Sequence, residues 1–416
     1  MRIAIVGGGI SGLVAAYQLQ KLGEVSVFEA NDYMGGHTHT VDVPEGARTH
    51  AVDTGFIVYN DWTYPNFIRL LDKLNVATQP SDMSFALSDP ATGFAYAAPR
   101  LSGLFAYRRN ALSPSFYRML WDIARFSKHG PRFLEQCEDG RALSAFFEDG
   151  RYSRTFLDRY LVPMISAIWS AGCGDVADLP ARYFLHFFKN HGLMNLLDRP
   201  QWRVITGGSR NYIAPLIAGF RDRVYTNSPV RNVTRNEDHV ALSLPDGEKQ
   251  RFDHVVLALH SDQALRVLSD PSDAERDILG AIPYQPNDVV LHTDTAVLPG
   301  RRNAWASWNY RMEPGTGHRA HLTYHMNRLQ SLDAQSDYLV SLNQTDAIAE
   351  SARLGRFSYS HPAYSAAAVA AQQRHAEISG VNRTHYCGAY WGYGFHEDGV
   401  KSALQACAWF GRGELQ

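Results

Sequence analysis

The chain has few cysteines, almost no net charge and no long apolar run. Its four cysteines, Cys137, Cys173, Cys387 and Cys407, lack the paired spacing of a metal site or a disulfide framework, so we expect reduced thiols in a cytoplasmic protein. The formal net charge of −2 gives no indication of a nucleic-acid partner. No apolar run approaches the ~20 residues that are needed to cross a bilayer. Because Met1 leads directly into an apolar strand pattern, we expect no secretory signal peptide.

Apolar residues are nevertheless plentiful, and the first of them form a strand. With 416 residues, 45% of them hydrophobic, the chain is long enough for two or three domains with a large core. Ile3–Val6 has the continuous apolar pattern of a buried parallel strand. Gly7, Gly9 and Gly12 follow in G-x-G-x-x-G spacing and open a helical pattern. A second strand then ends at Glu29, and this order of elements predicts a dinucleotide-binding site.

Each part of this pattern has a physical role at a dinucleotide. Gly7 makes a tight turn, Gly9 lets the backbone approach a pyrophosphate, and Gly12 lets helix and strand pack closely. The start of the helix offers free N–H groups and a positive dipole end to the phosphates. Glu29 stands where a carboxylate accepts hydrogen bonds from a ribose 2′-OH, which disfavours a 2′-phosphate. The predicted binding residues of this segment are Gly7, Gly9, Ile10, Ser11, Gly12, Glu29 and Ala30.

Two further glycine-containing segments follow Glu29. They are Gly35, Gly36, His37 and Thr38, then Thr54, Gly55, Phe56 and Ile57. With these segments in this order, the sequence resembles the flavoprotein superfamily that includes flavin amine oxidases, phytoene desaturases and protoporphyrinogen oxidase. In that superfamily a G-G-[basic]-x-x-[ST] segment follows the acid, and a D-x-G segment lies beside the flavin. His37 stands where the family usually has Arg, and a neutral imidazole can hydrogen-bond a phosphate without supplying a fixed charge.

The far end of the chain resembles the closing segment of the same superfamily. There a strand and a glycine-rich turn lead into a last helix, whose N-terminal amides meet the flavin and the pyrophosphate. The matching residues are Gly388, Asp398, Gly399 and Val400. Ala389 stands where the family usually has an acid, so we expect the ribityl contact at Asp398. The resemblance also assigns Val230 to the adenine.

The resemblance implies FAD as the cofactor. Some amine oxidases carry the flavin on a cysteine thioether. The segment that would supply this bond, roughly Gly355 to His361, contains no cysteine. We therefore expect FAD to be bound non-covalently.

The resemblance also implies an α/β fold with a discontinuous domain. It predicts a Rossmann-type FAD-binding domain of glutathione-reductase-like, amine-oxidase topology from residues 1–82, 200–280 and 365–416. A substrate-binding domain of mixed sheet plus helices is interleaved with it, from residues 83–199 and 281–364, with 100–199 as its helical part. Further elements are predicted as a hairpin at Ser84–Leu87 and Gly93–Ala97, strands at Asp288–Leu291 and His318–Asn327, and helices at Trp62–Val76, Arg151–Trp169 and Tyr183–Leu197.

Two histidines of the predicted substrate sheet alternate with a threonine. His321, Thr323 and His325 therefore share one face of their strand. No third ligand accompanies the histidines, so we predict paired or exposed side chains and no metal site.

Residues 100–132 combine basic and aromatic side chains. They include seven Lys and Arg residues, with Asp122 as the single acid, interleaved with rings such as Tyr117 and Trp121. Such a stretch is typical of a peripheral surface that docks on anionic lipid headgroups, here at the inner face of the membrane. A helical cap with a solvated arginine face has the same pattern.

Three middle and C-terminal stretches resemble a narrower bacterial subgroup. They are Ala304–Tyr310, Leu322–Tyr324 with Met326–Gln330, and Gly388–Gly399. Members of this subgroup are predicted FAD-dependent oxidoreductases, often encoded beside cyclopropane-fatty-acid-synthase-like methyltransferases. The kinship implies a lipid acyl chain or other apolar small molecule as substrate, for example a methyl-branched fatty acyl phospholipid, and a methyltransferase as functional partner. It indicates no oligomeric state.

The catalytic residues are the least constrained by sequence. The amine-oxidase branch normally uses a lysine near the flavin N5, and the matching region Pro286–Thr293 contains none, which disfavours amine oxidation. The nearest candidates are the ring of Tyr390 and the ionisable His396 and Glu397, for which capping and hydrogen bonding is the competing interpretation. Three functions stand: acyl-chain desaturation or dehydrogenation by hydride transfer to the flavin, amine oxidation, and a redox-neutral flavin isomerase or structural FAD carrier.

Overall fold

The computed structural model describes residues 1–138, 140–169, 173–313 and 319–415, with side chains at 173–175 left out. Its strands are β1 Arg2–Val6, β2 Glu24–Phe28, β3 Thr40–Glu45, β4 Arg48–Asp53, β5 Tyr59–Asn60, β6 Thr78–Pro80, β7 Phe85–Asp89, β8 Phe94–Ala98, β9 Trp202–Ile205, β10 Val224–Tyr225, β11 Asn232–Arg235, β12 Val240–Ser243, β13 Lys249–Phe252, β14 His254–Leu257, β15 Tyr284–His292, β16 Trp308–Arg311, β17 His321–His325, β18 Leu339–Leu342, β19 Arg353–Pro362 and β20 Thr384–Tyr386. Its α-helices are α1 Ile10–Leu19, α2 Pro65–Lys73, α3 Leu101–Leu104, α4 Pro114–Gln136, α5 Leu143–Gly150, α6 Arg154–Phe156, α7 Val162–Trp169, α8 Ala181–Asn190, α9 Ile213–Leu216, α10 Ser261–Val267, α11 Asp273–Gly280, α12 Met326–Leu329, α13 Ala366–Gln372, α14 His375–Ile378 and α15 His396–Ala408.

A parallel sheet organises both ends of the chain. Its strand order is β10-β2-β1-β14-β20, and Val6 of β1 lies opposite Leu257 of β14. Ile3 and Ile5 pack into a core with α1 and α15, whereas the alternating Ala4 packs into a second core with β11–β13 and α11. Because both faces are covered, the central strands are continuous apolar runs. Parallel strands end at the same edge, so the segments that follow β1, β2, β14 and β20 meet there.

A seven-stranded sheet forms the second layer, in the order β19-β15-β18-β17-β16-β7-β8. Its pairs include Asn287 with Tyr359, Val289 with Phe357, and Trp308 with Tyr324, so alternate residues of each strand face the same side. We call Trp308, Tyr324, Phe357 and Tyr359, which lie on one side of the sheet, the aromatic sheet face. Residues of this side belong to one core with the helices of the 100–199 segment. The helical part therefore covers the aromatic sheet face.

The opposite side of this sheet combines an apolar cluster around Val290 and Leu339 with several buried polar side chains. His292 Nε2 lies 2.8 Å from Ser341 Oγ, and Thr323 Oγ1 lies 2.7 Å from the same atom. The predicted shared face of β17 lies on this side. There His325 Nε2 is 3.3 Å from the Asp337 carboxylate and His321 Nδ1 is 3.9 Å from Glu313. Within the described ranges, no group of three metal-ligating side chains is close enough to hold an ion.

The predicted fold class is confirmed by this combination of a Rossmann-type sheet and a mixed sheet with helices. The parallel sheet takes its strands from residues 1–82, 200–280 and 365–416, although the domain boundaries stay a prediction. The hairpin β7–β8 and the strands β15 and β17 lie close to their predicted positions. His318, the start of one predicted strand, lies outside the described residues, as does the side chain of Cys173. Among the described residues, Cys137, Cys387 and Cys407 are buried and form no disulfide.

Several predicted helices are too long. The helix predicted from Trp62 begins at Pro65, because Asn60 Oδ1 accepts hydrogen bonds from the backbone N–H groups of 62 and 63 and holds them in a turn. The helix predicted to Leu197 ends at Asn190, and the positive φ of Gly192 turns the chain away. The helix predicted over Arg151–Trp169 is interrupted, because a π-helical turn over 157–161 joins α6 to α7. Among the described residues, no helix is both long and apolar enough to cross a membrane.

Candidate functional site

The glycine turn after β1 begins the site. A Cβ on Gly7 would lie 2.4 Å from the carbonyl oxygen of Ala258, and one on Gly12 would lie 2.0 Å from the carbonyl oxygen of Gly7. Gly7 also has a φ of +108°, which disfavours a side chain. At Gly9 the nearest atom to a Cβ is the Gly35 oxygen at 4.0 Å. Gly7 and Gly12 are therefore required by the protein, whereas Gly9 leaves free space beside the start of α1.

Glu29 closes β2 beside this turn. Its Oε2 accepts a hydrogen bond of 2.7 Å from the Gly8 N–H. Its Oε1 accepts bonds of 2.9 Å each from the backbone N–H and the side-chain amide of Asn31. The carboxylate is buried and held at the sheet edge, and Ala30 is exposed beside it. This is the position predicted for the acid that binds the ribose.

The paired glycines pack directly on the glycine turn. The Gly35 N–H donates to the Gly8 carbonyl oxygen at 2.8 Å, and a Cβ on Gly36 would lie 3.1 Å from the Gly9 Cα. The segment Thr54–Ile57 continues this surface, because the Phe56 N–H donates to the His37 carbonyl oxygen at 2.7 Å. The Thr54 N–H also donates to the His39 carbonyl oxygen at 2.9 Å, so residues 35–39 and 54–57 form one continuous surface, which we call the flavin wall.

The C-terminal helix brings a second helix N-terminus to the same place. A Cβ on Gly399 would lie 2.8 Å from Ile10 Cγ2 and 3.0 Å from Ser11 Oγ, so α15 begins against the start of α1. The first N–H groups of both helices lack intrahelical partners, and both dipoles present their positive ends here. Gly388 donates its N–H to Ser402 Oγ at 2.9 Å, which fixes the turn before α15.

Asp398 lies half-buried at the start of α15. Its Oδ2 accepts a hydrogen bond of 3.0 Å from the Phe395 N–H. Burial raises the pKa of its carboxyl group to about 6. Val400 and Ile57 are buried in apolar cores, and Val230 packs in the core that also contains Phe28 at the end of β2.

His396 is enclosed between the two halves of the site. Its Nε2 lies 2.9 Å from Thr38 Oγ1, and its ring stacks on Phe56 with a centroid distance of 3.5 Å. Burial lowers the pKa of the imidazole to about 3, so the ring is neutral at physiological pH. Tyr390 is also buried, with its ring against Trp391.

Glu397 points away from His396 toward α2. Its Oε2 accepts hydrogen bonds of 2.9 Å from the Phe67 N–H and 3.1 Å from the Asn66 N–H, at the first turn of that helix. Its Oε1 accepts a bond of 2.8 Å from the Asn66 side-chain amide. These contacts are those of the capping interpretation. The catalytic roles of Tyr390, His396 and Glu397 stay predictions.

Two histidines that the sequence does not single out also face the site. His260 follows β14, and its ring centroid is 6.0 Å from that of His37. His361 of β19 is 5.6 Å from the same ring. We call His37, His260 and His361 the imidazole cluster. No sequence signal links them, since their proximity depends on the packing of β14 and β19.

Asp53 is the acid of the predicted D-x-G segment, although it is not among the predicted binding residues. Its Oδ1 accepts hydrogen bonds from Thr40 Oγ1 at 2.6 Å and from Ser209 Oγ at 2.8 Å. Gln330 donates from Nε2 to Oδ2 at 3.0 Å. Burial raises the pKa of this carboxyl group to about 6. Asp53 therefore joins the flavin wall to Ser209 and Gln330 and has a structural role.

The residues present fit a dinucleotide that has a pyrophosphate and an extended second half. Free space remains beside Gly9, and the buried His37 Nε2 has no hydrogen-bond partner among the described residues. A protein with this fold and this edge binds a dinucleotide, in a site built from both ends of the chain.

The particular family follows from comparison. Residues 10–408 match the family described as flavin-containing amine oxidoreductases. The chain therefore belongs to this family of FAD-dependent oxidoreductases. This confirms the predicted superfamily, enzyme class and FAD cofactor.

Individual relatives differ in what they act on. The chain is similar to a probable flavin-containing monoamine oxidase A of Dictyostelium discoideum, 24% identical over 286 residues, which cover 65% of this chain and 59% of that protein. It is also similar to the flavin-dependent L-tryptophan oxidase of Lentzea aerocolonigenes, 44% identical over 287 residues, which cover 64% of this chain and 57% of that protein. The chain thus spans a little over half the length of these curated relatives.

A solved structure covers nearly the whole chain. The CLA-producing fatty acid isomerase from P. acnes has a TM-score of 0.70 and 16% sequence identity, with 98% of each chain covered. At this identity the likeness concerns the fold alone.

Proposed function

We propose that this chain is an FAD-dependent oxidoreductase that desaturates or dehydrogenates an acyl chain of a membrane lipid, such as a methyl-branched fatty acyl phospholipid. The observation that carries the proposal is the position of Tyr359. This residue belongs to the aromatic sheet face, and its hydroxyl lies 2.9 Å from Thr54 Oγ1 and 3.0 Å from His39 Nδ1 in the flavin wall. The aromatic sheet face therefore reaches the cofactor site.

An apolar substrate suits this face. Trp308, Tyr324 and Phe357 retain part of their accessible surface although they lie under the helical part. Removing an acyl chain from water contributes about 0.8 kcal/mol for each buried CH₂ group. Bound FAD supplies a hydride acceptor, and the protein orients the chain against it and excludes water.

The helical part is fixed over the segment that precedes α15, which supports the exclusion of water. The Tyr183 hydroxyl donates to the Gly392 carbonyl oxygen at 2.7 Å. The Trp169 indole N–H donates to the Tyr393 carbonyl oxygen at 3.1 Å. The rings of Tyr183 and Tyr393 lie 4.5 Å apart. These contacts close one side of the site with aromatic rings.

Amine oxidation is the second candidate, and it is favoured by the named activities of the two curated relatives. Against it stands the absence of lysine in β15, which faces the site. Asn287 occupies the position opposite Tyr359, and its Oδ1 accepts a hydrogen bond of 2.9 Å from Asn343. A neutral amide bound in this way cannot replace a lysine amine as a proton acceptor.

We also propose that the substrate is reached at a membrane surface, through a docking face formed by Leu101, Leu112, Tyr117 and Trp121. Leu112 is 86% exposed and Trp121 is 63% exposed. Tyr117 and Trp121 lie one turn apart on α4 and share one side of it. Exposed aromatic and leucine side chains at this density are typical of an interfacial surface.

The charge of the surrounding segment supports an anionic bilayer as the partner. Asp122, its single acid, is buried and bound by Arg118 Nε at 3.2 Å and Arg125 at 2.7 Å, so its charge is compensated. The other basic residues of 100–132 leave a positive surface, which anionic headgroups attract. We therefore propose a peripheral position on the inner face of the membrane, and a methyltransferase as functional partner.

Anaerobic spectroscopy of the flavin tests the substrate class. The purified protein is mixed without oxygen with phospholipid vesicles that contain methyl-branched acyl chains, and in parallel with amines. Bleaching of the oxidised flavin band by the branched lipids alone is the expected result. Bleaching by amines alone would contradict the proposal in favour of amine oxidation. Rearranged lipid double bonds without net bleaching would favour the redox-neutral isomerase.

A further inference from the structure

We propose that FAD binding to this chain takes up a proton, and that the imidazole cluster of His37, His260 and His361 holds it as the cation facing the FAD pyrophosphate. One proton moves from solvent to a ring nitrogen of the cluster, with His37 as the main acceptor. The inference depends on FAD binding and is independent of the substrate.

The backbone brings the cluster to the phosphate position from two sides. Gly36, the neighbour of His37, packs on Gly9, where the space for a pyrophosphate lies. On the other side, Ala258 packs on Gly7, and His260 follows two residues later. Both imidazoles therefore extend from segments that touch the glycine turn. His361 completes the cluster from β19.

His37 has an unused hydrogen-bonding atom. Its Nε2 is buried and has no hydrogen-bond partner in the described part of the chain. A buried polar atom without a partner is destabilising, so such atoms usually mark the place of a ligand or water. An oxygen of the pyrophosphate is the acceptor that a protonated ring in this position requires.

The titratable groups around His37 come from three elements. His260 faces it from the turn before α10, Tyr359 and His361 face it from β19, and His396 faces it from α15. Asp262, at the start of α10, acts on His260, and the ring of Tyr284 from β15 stacks on His260 with a centroid distance of 4.4 Å.

Burial is the main reason why the cluster is neutral before FAD binds, and the neighbouring imidazoles add to it. Burial, and then the neighbouring imidazoles, hold the pKa of His37 well below its usual value. Burial lowers the pKa of His361 to about 4, and it lowers the pKa of His260 although Asp262 opposes the shift. A pyrophosphate adds negative charge beside these rings and stabilises their protonated form. The pKa of the acceptor is therefore higher with FAD than without it.

The sign of the pH dependence follows from this difference. Protonation of the cluster raises the affinity for FAD. This gain is complete below the pKa that the acceptor has without FAD, and it is lost as the pH rises through the pKa that the acceptor has with FAD bound. For one proton, the dissociation constant rises by up to about tenfold per pH unit between these two values. An arginine at position 37 carries a fixed charge, so it would remove the dependence.

Binding of FAD to the protein stripped of its cofactor tests the proposal. Flavin fluorescence follows the binding of FAD at a series of pH values from 5.5 to 8.5. ADP-ribose, which carries the pyrophosphate without the isoalloxazine, is the second probe, and its binding is followed by its competition with FAD. We expect the dissociation constants of both ligands to rise at least threefold per pH unit over part of this range. Calorimetry in two buffers with different ionisation enthalpies should show net proton uptake.

Three variants make the test specific. His37→Arg is expected to bind with less than a twofold change per pH unit, and His37→Gln is expected to bind more weakly at pH 6 with a reduced slope. His239→Gln, at a distant surface turn, should retain the wild-type slope. Circular dichroism and thermal unfolding check that each variant is folded.

The outcomes separate this inference from the cofactor assignment. Three results would each overturn proton uptake by the cluster. They are a wild-type FAD affinity that is independent of pH, an ADP-ribose affinity that is independent of pH, and a pH dependence in His37→Arg that equals that of the wild type. Failure to bind FAD at every pH would overturn both the inference and the cofactor assignment.

Discussion

At the scale of single residues, His396 and Glu397 are adjacent in sequence but have different surroundings. His396 turns into the site, where Phe56 stacks on it and Thr38 hydrogen-bonds it. Glu397 turns to α2, where it satisfies N–H groups that a helix start leaves without partners. Ionisable character alone therefore does not distinguish a base from a cap. The direction of each side chain along α15 does.

Replacing Glu397 tests the capping role. Glu397→Ala is expected to lower the free energy of unfolding by about 1–2 kcal/mol, because α2 loses its N-terminal acceptor. Glu397→Gln keeps one acceptor oxygen and should lose less. Urea unfolding measures both, with Glu377→Ala, an exposed ion-pair residue, as the control that should change little.

Activity then distinguishes the two interpretations of this residue. If Glu397 only caps α2, substrate should reduce the flavin of Glu397→Gln at a rate within a few-fold of the wild-type rate. A loss of about 10²-fold or more in this folded variant would instead support Glu397 as a catalytic base.

At the scale of elements, two helix N-termini and two glycine segments form the cofactor cradle. The starts of α1 and α15 touch through Gly399 and Ile10, and the paired glycines lie on Gly9. The glycines of this cradle have different reasons for lacking a side chain. Gly12 avoids the protein backbone, whereas Gly9 leaves space for the ligand.

Two alanine variants separate these reasons. Gly9→Ala is expected to fold with unchanged stability, because its φ of −75° suits alanine and its surroundings are open, yet to bind FAD at least tenfold more weakly. Gly12→Ala is expected to lose about 1–3 kcal/mol or more of unfolding free energy through overpacking. Chemical unfolding and fluorescence titration measure the two effects.

Gly280→Ala is the matched control, because Gly280 is exposed at the end of α11 and a Cβ there would meet only Leu265 at 4.0 Å. It should change neither stability nor affinity. Equal FAD affinity in Gly9→Ala and the wild type would show that the pyrophosphate does not approach this backbone.

At the scale of the whole molecule, the two sheets and the helical part form two separate regions, one for the cofactor and one proposed for the substrate. The cofactor cradle lies at the carboxyl edge of the parallel sheet, and the aromatic sheet face lies under the helices. The docking face is on the outside of these same helices. In our proposal, a lipid substrate passes from a membrane surface through the helical part toward the flavin.

Vesicle binding tests the docking face. In a sedimentation assay with phosphatidylglycerol vesicles, the double variant Tyr117→Ser, Trp121→Ser is expected to bind at least tenfold more weakly, since burying one large apolar side chain contributes about 1.5–3 kcal/mol. Binding of the wild type should weaken with salt. Leu354→Ser, at an exposed position on β19, should bind as the wild type does. Equal binding of the double variant, or equal binding to neutral vesicles, would contradict the proposal.

Much of the cofactor site could be predicted from local sequence. The turn at Gly7, the start of α1 and the acid at Glu29 are formed by residues close in the chain, and short-range sterics and helix termini restrict which residues fit there. The paired glycines and the C-terminal helix were predicted through resemblance to a family in which the same segments recur.

The rest depends on contacts between segments far apart in the chain. Helix ends such as that of α8 differ from prediction because a single turn at Gly192 and the packing of the ends outweigh the apolar periodicity. The link between Tyr359 and Thr54 requires the mixed sheet to lie against the flavin wall.

The chain's own pattern of strand, glycines, helix and acid determined that this protein binds a dinucleotide, because that chemistry is carried by consecutive backbone groups. Tertiary packing alone decided which side chains surround it. His37, His260 and His361 meet only when β14 and β19 reach the same edge, and the low pKa of His37 arises from the burial that this packing produces. Burial and charge depend on everything that surrounds a group, and no local pattern encodes them.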